Sequence, residues 1–366
     1  MRINTFQNIV LSALFLTVFN IGFASEAKEG GDDEKFDPKE MIMHHVKDAY
    51  GMHLFTLDEG KEDERHLTIP LPVILWTDNG LTTFMSSEFH HDYDGKVIVE
   101  KNGGRFVNVH EKIYQLNAGE SIVVYDAEHH PTNANMPLDF SITRNVFMMW
   151  VSIAVLLLIF LTAARRYKKS DNYLPSGIAS FVEPLIVFVR DEIARPMIGE
   201  HKYKKYMPFL LTVFFFIWIN NIFGLIPIFN GANVSGNIAF TFTLAIFTFI
   251  ITTFSGNKNY WKHIFWMPGV PVPMKIFLIP IELIGMLVKP MSLMIRLFAN
   301  ITAGHIIILA LMSLIFIFKT PWVSPVSVGF SLFIGIIEIV VTAIQAYIFT
   351  VLSALYFGMA TEEEHH

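Results

Sequence analysis

Two long apolar segments of the chain, 276–318 and 321–359, are interrupted by a few ionisable side chains. These side chains are Glu282, Lys289, Arg296, His305 and Glu338. A charged group in the hydrocarbon of a bilayer costs about 2.5–3.5 kcal/mol and usually marks an ion or substrate path. His305 and Glu338 can each change protonation state, whereas an arginine stays charged at physiological pH. The residue types therefore predict proton transfer beside a fixed positive charge.

The spacing of these residues places three of them on one helical face. Glu282, Lys289 and Arg296 follow each other at intervals of seven residues, nearly two helical turns, and Asn300 lies one turn further on. Glu282 and Arg296 would be about 21 Å apart along the helix. The alternative is structural: Lys289 extends its ammonium towards the interface, and Arg296 forms an internal ion pair with Glu282 or Glu338.

The elements that must position these groups are unusually long. Each of the two segments has about 40 apolar residues, or roughly 60 Å of helix, twice the thickness of the hydrocarbon. Each is therefore either a helical hairpin or a single, steeply tilted helix. Because tilts beyond about 40° are unusual, the residues alone favour hairpins.

Three shorter spans precede them. Val146–Ala164 is a charge-free run long enough for one span, and 206–229 with 237–256 fits a helical hairpin. Between the first span and the hairpin, apolar residues recur at helical spacing, which predicts an amphipathic helix on the inner membrane surface. Basic residues after the first span and after the hairpin place those ends in the cytoplasm: Arg165, Arg166, Lys168 and Lys169, then Lys258, Lys262 and Lys275.

The composition supports a membrane protein with a separate soluble part. Only 16% of the residues are charged, against about a quarter in soluble domains, and the chain has no Cys, which excludes disulfides and thiolate metal sites. Residues 26–141 carry 23 acidic and 10 basic side chains, whereas 142–366 carry 10 and 16. No basic face is left to bind nucleic acid.

The first 141 residues are expected to lie outside the cytoplasm. Residues 1–24 resemble a secretory signal peptide, with an apolar run of only about 15 residues, and the charged segment Ser25–Lys39 is expected to be disordered. Segments 96–100, 105–110 and 121–125 predict strands of a small antiparallel sheet. The histidine doublets at 44–45, 90–91 and 129–130 are interpreted as solvated surface rather than metal ligands, because adjacent residues on a strand point to opposite faces.

The run Lys289-Pro-Met-Ser-Leu-Met-Ile-Arg-Leu-Phe-Ala-Asn-Ile-Thr-Ala-Gly304 resembles the signature of subunit a of rotary F-type ATP synthases. Further matches are Asn221-Ile-Phe-Gly-Leu-Ile-Pro227, Gln345-Ala-Tyr-Ile-Phe349 and the acidic end Met359-Ala-Thr-Glu-Glu-Glu-His365. The elements occur in the order of that family and cover residues 142–365. Where some members carry an acid before Leu-x-Pro, this chain has Gly224.

The resemblance implies a role for each polar residue of the apolar segments. Arg296 would face the rotating ring of c subunits, and the two last helices would lie strongly tilted along that ring. The outer proton half-channel would use His305, Glu338, Asn300 and Gln345, and the inner one Glu282 and Ser292. Many bacterial members carry the acid and the imidazole of the outer path in exchanged positions, as expected if His305 and Glu338 touch across helices.

The predicted architecture is thus an all-α membrane domain over 142–366, with a β-rich extracytoplasmic region over 25–141 and a signal peptide over 1–24. The membrane domain comprises one N-terminal span, a surface amphipathic helix, a helical hairpin and two long tilted helices. The resemblance implies a location in the cell inner membrane, with the N-terminal region outside and the C-terminus in the cytoplasm.

The resemblance implies a non-catalytic ion channel of the stator, which couples proton flow to rotation of the c-ring and ATP synthesis. Its partners would be the c-ring, the b subunits of the peripheral stalk and the lipid bilayer. No nucleotide-binding loop, cofactor or metal site is expected. The ion is set mostly by the rotor's own site, and His305 favours H⁺ only mildly. A stand-alone secondary transporter is the alternative, although the internal repeats common in such proteins are not found.

Overall fold

The computed structural model describes residues 38–39, 42, 46–57, 65–117, 119–120, 122–126, 131–167, 177–226, 233–318, 320 and 322–362. The predicted signal peptide, nearly all of the charged segment after it, and the doublets at 44–45 and 129–130 lie outside these residues. The chain divides into two compact units. One contains 1–149, 223–232 and 305–335, and the other contains 150–222, 233–304 and 336–366.

The N-terminal region is built from nine described strands in three antiparallel sheets. β1 (Gly51–Leu57) pairs with β2 (Arg65–Pro70). β3 (Pro72–Thr77) lies between β4 (Gly80–Met85) and β9 (Leu138–Asp139). The third sheet has the order β5 (Val99–Lys101), β6 (Gly104–Val109), β7 (Lys112–Leu116), β8 (Ala134–Asn135).

Apolar residues at alternate strand positions form the core of this region. Val73 and Leu75 on β3 and Phe84 on β4 point to one side and are buried with Phe106 and Ile113 from the third sheet. Phe84 and Phe106 are in ring contact, with centroids 5.7 Å apart. The predicted small antiparallel sheet is therefore confirmed in kind, as a set of antiparallel sheets; a second buried cluster contains Val107, Val109, Leu116 and Val123.

Two details of the sequence interpretation are corrected here. Segment 121–125 is not a strand where it is described: the side chain of Asn133 accepts from Val124 N at 2.9 Å and donates to Ile122 O, replacing ladder hydrogen bonds. His90 and His91 lie in a turn with left-handed φ of 49° and 61°, not on a strand. Among the residues that the structure describes, no group of three His, Asp or Glu could hold a metal ion.

Five helices are long and apolar enough to cross a membrane among the described residues. They are α1 (Arg144–Tyr167), α4 (Tyr203–Leu225), α5 (Ile238–Ser255), α7 (Val272–Phe318) and α8 (Val323–Thr361). Shorter helices are α2 (Ile178–Phe188), α3 (Arg195–Ile198) and α6 (Lys258–Phe265). The chain is a multi-pass, mostly helical membrane protein preceded by a β-rich region.

The hairpin favoured by the residues alone is wrong for both long segments. α7 runs for 47 residues and α8 for 39, each as one uninterrupted helix. Pro280 and Pro290 lie inside α7 without ending it. A continuous helix satisfies its backbone hydrogen bonds internally, which an apolar solvent demands. At 1.5 Å per residue, α7 is about 70 Å long. Because each segment is one continuous helix, the single-helix alternative, which the resemblance also implies, is confirmed.

The predicted amphipathic helix is present, but it is interrupted. After α2, residues Val189–Ala194 form a π-type turn that leads into α3. Val182, Val189 and Ile193 are buried in the same apolar cluster as Leu210 of α4 and Leu297 of α7, whereas Phe181 is exposed. The apolar face of this segment therefore packs on the spanning helices.

Close backbone contact and hydroxyl groups join the helices of the second unit. At Gly358 of α8, a Cβ atom would lie 1.9 Å from the carbonyl oxygen of Met197, so only glycine fits. The hydroxyls of Thr248 and Ser353 are 3.3 Å apart in the buried α5–α8 contact. Small and hydroxyl-bearing residues at helix contacts are typical of packing within membranes.

Candidate functional site

Arg296 lies near the middle of α7, 24 residues after the start of that helix, and its side chain is partly exposed. Among the residues that the structure describes, none forms a hydrogen bond or an ion pair with it. The structural alternative, an ion pair with Glu282 or Glu338, is therefore wrong. The fixed separation of 14 residues keeps Glu282 about 21 Å away along the same helix.

Glu338 of α8 is buried, with 3% of its surface exposed. Its carboxyl group packs against the backbone of α7 at Gly304, where a Cβ atom would lie 2.5 Å from Oε1 and 2.9 Å from Cδ. Gly304 is eight residues beyond Arg296, about 12 Å along the helix. The Ala-Gly pair of the sequence motif thus provides the space that this carboxyl group occupies.

The other residues predicted for the outer path are less closely grouped. Gln345 is buried on α8, seven residues after Glu338 and hence on the same side of that helix. Asn300 is exposed on α7, one turn beyond Arg296. His305 directly follows Gly304 and is partly exposed. Within the described part of the chain, no hydrogen bond to Asn300 is found.

Arg144 is a charged group near His305 that the sequence interpretation missed. It lies at the first residue of α1, and its charge is close enough to act on the imidazole of His305. Its Nη2 donates to Lys47 O at 2.7 Å, and Asn145 N donates to Asp48 Oδ1 at 3.0 Å. Burial is the main cause of a raised pKa for the Asp48 carboxyl. The only sequence signal was that Arg144 precedes the charge-free run.

A small recess lies beside the inner-path residues. Glu282 and Ser292 are partly exposed on α7, and the negative charge of Glu282, added to burial, raises the pKa of Tyr260. The ammonium of Lys289 lies 6.0 Å from the ring centroid of Tyr356. The residues lining the recess are Phe249, Thr252, Tyr260, Met286, Lys289, Pro290, Tyr356 and Met359.

Sequence reasoning named Glu282 and Lys289 but missed the two tyrosines of this recess. Tyr260 lies in the short charged helix α6, which was interpreted only as a cytoplasmic end, and Tyr356 lies in the apolar helix α8, where nothing in the pattern singled it out. Lys289, interpreted mainly as a side chain that reaches the interface, instead lies between α7 and Tyr356 of α8. A lysine ammonium near an aromatic face gains electrostatic stabilisation, which helps to hold the charge inside the protein.

Two family models match the chain in separate regions. The model described as ATP synthase A chain matches residues 146–358, which includes every predicted site residue. A second model, a domain of unknown function (DUF8433), matches residues 41–140, the β-rich region. The boundary between the two matches lies just at the start of α1.

Curated relatives match mainly over the helical region. "ATP synthase subunit a" of Chloroherpeton thalassium is 48% identical over 234 residues, which is 62% of this chain and 69% of the relative. "ATP synthase subunit a 2" of Chlorobaculum tepidum is 44% identical over 252 residues, 67% and 70% of the two chains. A relative from Anaeromyxobacter is 38% identical over 76% and 70%. The predicted family is confirmed: this chain belongs to the ATP synthase A chain family, the a subunits of the membrane sector of ATP synthase.

Proposed function

We propose that this chain is the stator proton channel of an ATP synthase, with two offset half-channels that load and unload protons on a ring of c subunits. The observation that carries the proposal is Arg296, a cation in an apolar helix with no anionic partner among the described residues. Leaving such a charge uncompensated is costly. A carboxylate of the rotor would provide the missing partner.

In the outer half-channel, protons enter through His305 and Glu338, with Asn300 and Gln345 as further polar groups. The burial of Glu338 beside Gly304, the neighbour of His305 in the chain, supports direct transfer between imidazole and carboxyl. The proton then neutralises a rotor carboxylate that has just left Arg296. A neutral carboxyl group can face lipid, whereas an ionised one cannot.

In the inner half-channel, the rotor carboxyl releases its proton near Glu282 and Ser292. The recess supports a polar exit on this side, because its lining brings together three ionisable side chains, those of Lys289, Tyr260 and Tyr356. The anion formed is drawn to Arg296, and the fixed charge of the guanidinium repels protons that would pass straight across. A membrane potential contributes about 2.3 kcal/mol per proton per 100 mV, which drives the ring.

The proposal extends to assembly and orientation. The chain itself is non-catalytic and binds neither nucleotide nor cofactor; its partners are the c-ring, the b subunits of the peripheral stalk and the lipid of the inner membrane. Residues 1–24 act as a signal peptide, 25–141 lie outside the cytoplasm and the C-terminus lies inside. The basic residues that follow the first span support this orientation.

The decisive experiment replaces Arg296 by Ala in the assembled synthase. We expect ATP-driven proton pumping into inverted membrane vesicles to fall to background, since no group would hold the rotor carboxylate or block the shortcut. Arg165→Ala, at the exposed end of α1, is the matched control and should pump normally. Full coupling in R296A, with assembled complex shown by its ATPase activity, would contradict the proposal.

A second experiment tests the outer path. If His305 and Glu338 exchange a proton directly, the double variant with His305→Glu and Glu338→His should retain far more pumping than either single change. The double variant keeps one imidazole and one carboxyl group, whereas each single variant has two of the same kind. Equal loss in all three variants would count against direct transfer.

A further inference from the structure

The outward face of the sheet β4-β3-β9 is mostly apolar, with the exposed Thr83 opposite Ile74 as its polar member. Val73 and Leu75 point inward, so Ile74 and Trp76 point outward. Trp76 is paired with Leu81 on one side and Leu138 on the other, which forms an apolar row across all three strands. Side chains directly opposite each other on one face of a sheet are in contact range.

The side chains of this face are exposed to an unusual degree for large apolar residues. Trp76 is 56% exposed, Leu81 55%, Leu138 65% and Phe140 63%. Met85, at the other end of β4, is 41% exposed. A contiguous apolar patch of this kind on a soluble surface marks an interaction site. We refer to these five residues, together with Ile74, as the apolar sheet face.

This face continues towards the membrane along the chain. Beyond β9, Phe140 N donates to Ile74 O at 2.8 Å and Ile142 N donates to Pro72 O at 3.1 Å, so the pairing with β3 persists to residue 142. The first spanning helix begins two residues later, at Arg144. Leu138 precedes the first residue of that helix by six positions, at most about 22 Å of extended chain.

We propose that the apolar sheet face docks on the outer leaflet of the bilayer, with Trp76, Leu138 and Phe140 as interfacial anchors. Its residue types fit this occupant, because tryptophan and other large apolar side chains favour the membrane–water interface. Its position fits too, since the strand that carries Leu138 and Phe140 leads directly into a span. The net charge of −13 on residues 26–141 provides no attraction to anionic lipid, so the contact is apolar.

The test uses the absence of cysteine from the chain. Leu81→Cys and Leu138→Cys are introduced singly, and the assembled synthase is spin-labelled and placed in phosphatidylcholine nanodiscs. Paramagnetic relaxation by oxygen, which concentrates in lipid, is compared with relaxation by a water-soluble nickel chelate. Leu157→Cys on the exposed side of α1 is the lipid reference, and Lys112→Cys on β7 is the water reference. The unsubstituted chain corrects for labelling of other subunits.

We expect labels at 81 and 138 to relax more with oxygen than with the nickel chelate, as at 157, and the label at 112 to show the reverse. Stronger relaxation by nickel at 81 and 138 means that the face lies in water and overturns the proposal. Weak relaxation by both reagents means that protein covers the face and overturns it as well. Neither outcome depends on proton transport, so the function proposed for Arg296 stands or falls separately.

Discussion

The two regions of this chain place their charged side chains in opposite ways. Residues 26–141 carry 23 acidic and 10 basic side chains, and the ion pairs Arg105–Glu100 and Lys96–Asp94 of this region lie at the surface. In the helical region, Arg296 lies within an apolar helix with no ion-pair partner among the described residues. Exposed charges such as these can be neutralised at a hydrated surface, whereas an unpaired charge within an apolar helix is costly and usually marks an ion path.

The two regions also differ in how their elements pack against each other. The β-rich core is formed by large alternating side chains such as Leu75, Phe84 and Phe106, which can adjust to small changes. The helices of the second unit instead approach each other at single points where only a hydrogen atom fits, as at Gly358. Adding a single methyl group at such a point of backbone contact should therefore have a large effect on assembly.

The largest effect is expected for Gly358→Ala. Its Cβ would lie 1.9 Å from the carbonyl oxygen of Met197, and that backbone atom cannot move without displacing α3. Overpacking of this kind costs about 3 kcal/mol or more, so the amount of assembled complex in membranes should fall sharply. Gly335→Ala, on the same helix with no atom within 4 Å, should assemble normally. Normal assembly of G358A would contradict the conclusion that only glycine fits at this helix contact.

A smaller and more specific effect is expected for Gly304→Ala. The added methyl group would displace the flexible carboxyl group of Glu338, not a backbone atom, so the helices should still assemble. Misplacing one proton-transfer group should reduce ATP-driven pumping by about tenfold. Gly285→Ala on the same helix, with open space around it, is the matched control. Loss of assembly instead of pumping would show that Gly304 serves packing alone.

The pH dependence of the β-rich region should depend on Asp48. Burial raises the pKa of this carboxyl in the folded protein, so its ionisation disfavours the fold. Its stabilising contribution is complete below the unfolded pKa and is lost as the pH rises through the folded pKa. Asp48→Asn cannot ionise, so its stability relative to wild type should increase over this range. Hydrogen exchange of β3 and β6, compared at each pH, measures the difference; an unchanged difference would argue against a buried, titrating Asp48.

The smallest effect is expected for Glu100→Gln. The Arg105 Nε–Glu100 Oε1 pair is 2.8 Å long, but Glu100 is 67% exposed. Exposed pairs contribute about 0–1 kcal/mol, so the hydrogen exchange of β5 and β6 should change little and proton pumping should not change. A marked loss of pumping in E100Q would contradict this expectation, because it would link the surface charges of the β-rich region to transport.

Much of the helical region could be predicted from the sequence because a bilayer constrains it strongly. The apolar runs located the five long helices within a few residues, and the rarity of charges in these runs was enough to single out Arg296 and Glu338. The continuous form of α7 and α8 could not be predicted from apolar length alone, because a hairpin buries the same residues. The Gly304–Glu338 contact could not be predicted either, since a contact between helices leaves no periodic signal in either one.

The β-rich region was harder to predict. β6 was expected at 105–110 and lies at Gly104–Val109, but β3 and β4 were missed and segment 121–125 was wrongly expected to be a strand. A segment of β-branched residues can form its backbone hydrogen bonds with a single side chain, here that of Asn133, instead of with a neighbouring strand. No local sequence pattern indicates this arrangement. The apolar sheet face could not be found either, because outward and inward residues of β3 are equally apolar in sequence.

Pro290 in α7 has a consequence for the hydration of the recess. Proline has no N–H group, so the carbonyl oxygen of Met286, four residues earlier, lacks the donor that a regular helix provides. Both residues line the recess that also holds Lys289 and Tyr260. Main-chain oxygen without a helical donor attracts water. The proline thus removes one helical hydrogen bond beside the recess and leaves a main-chain acceptor close to Lys289 and Tyr260.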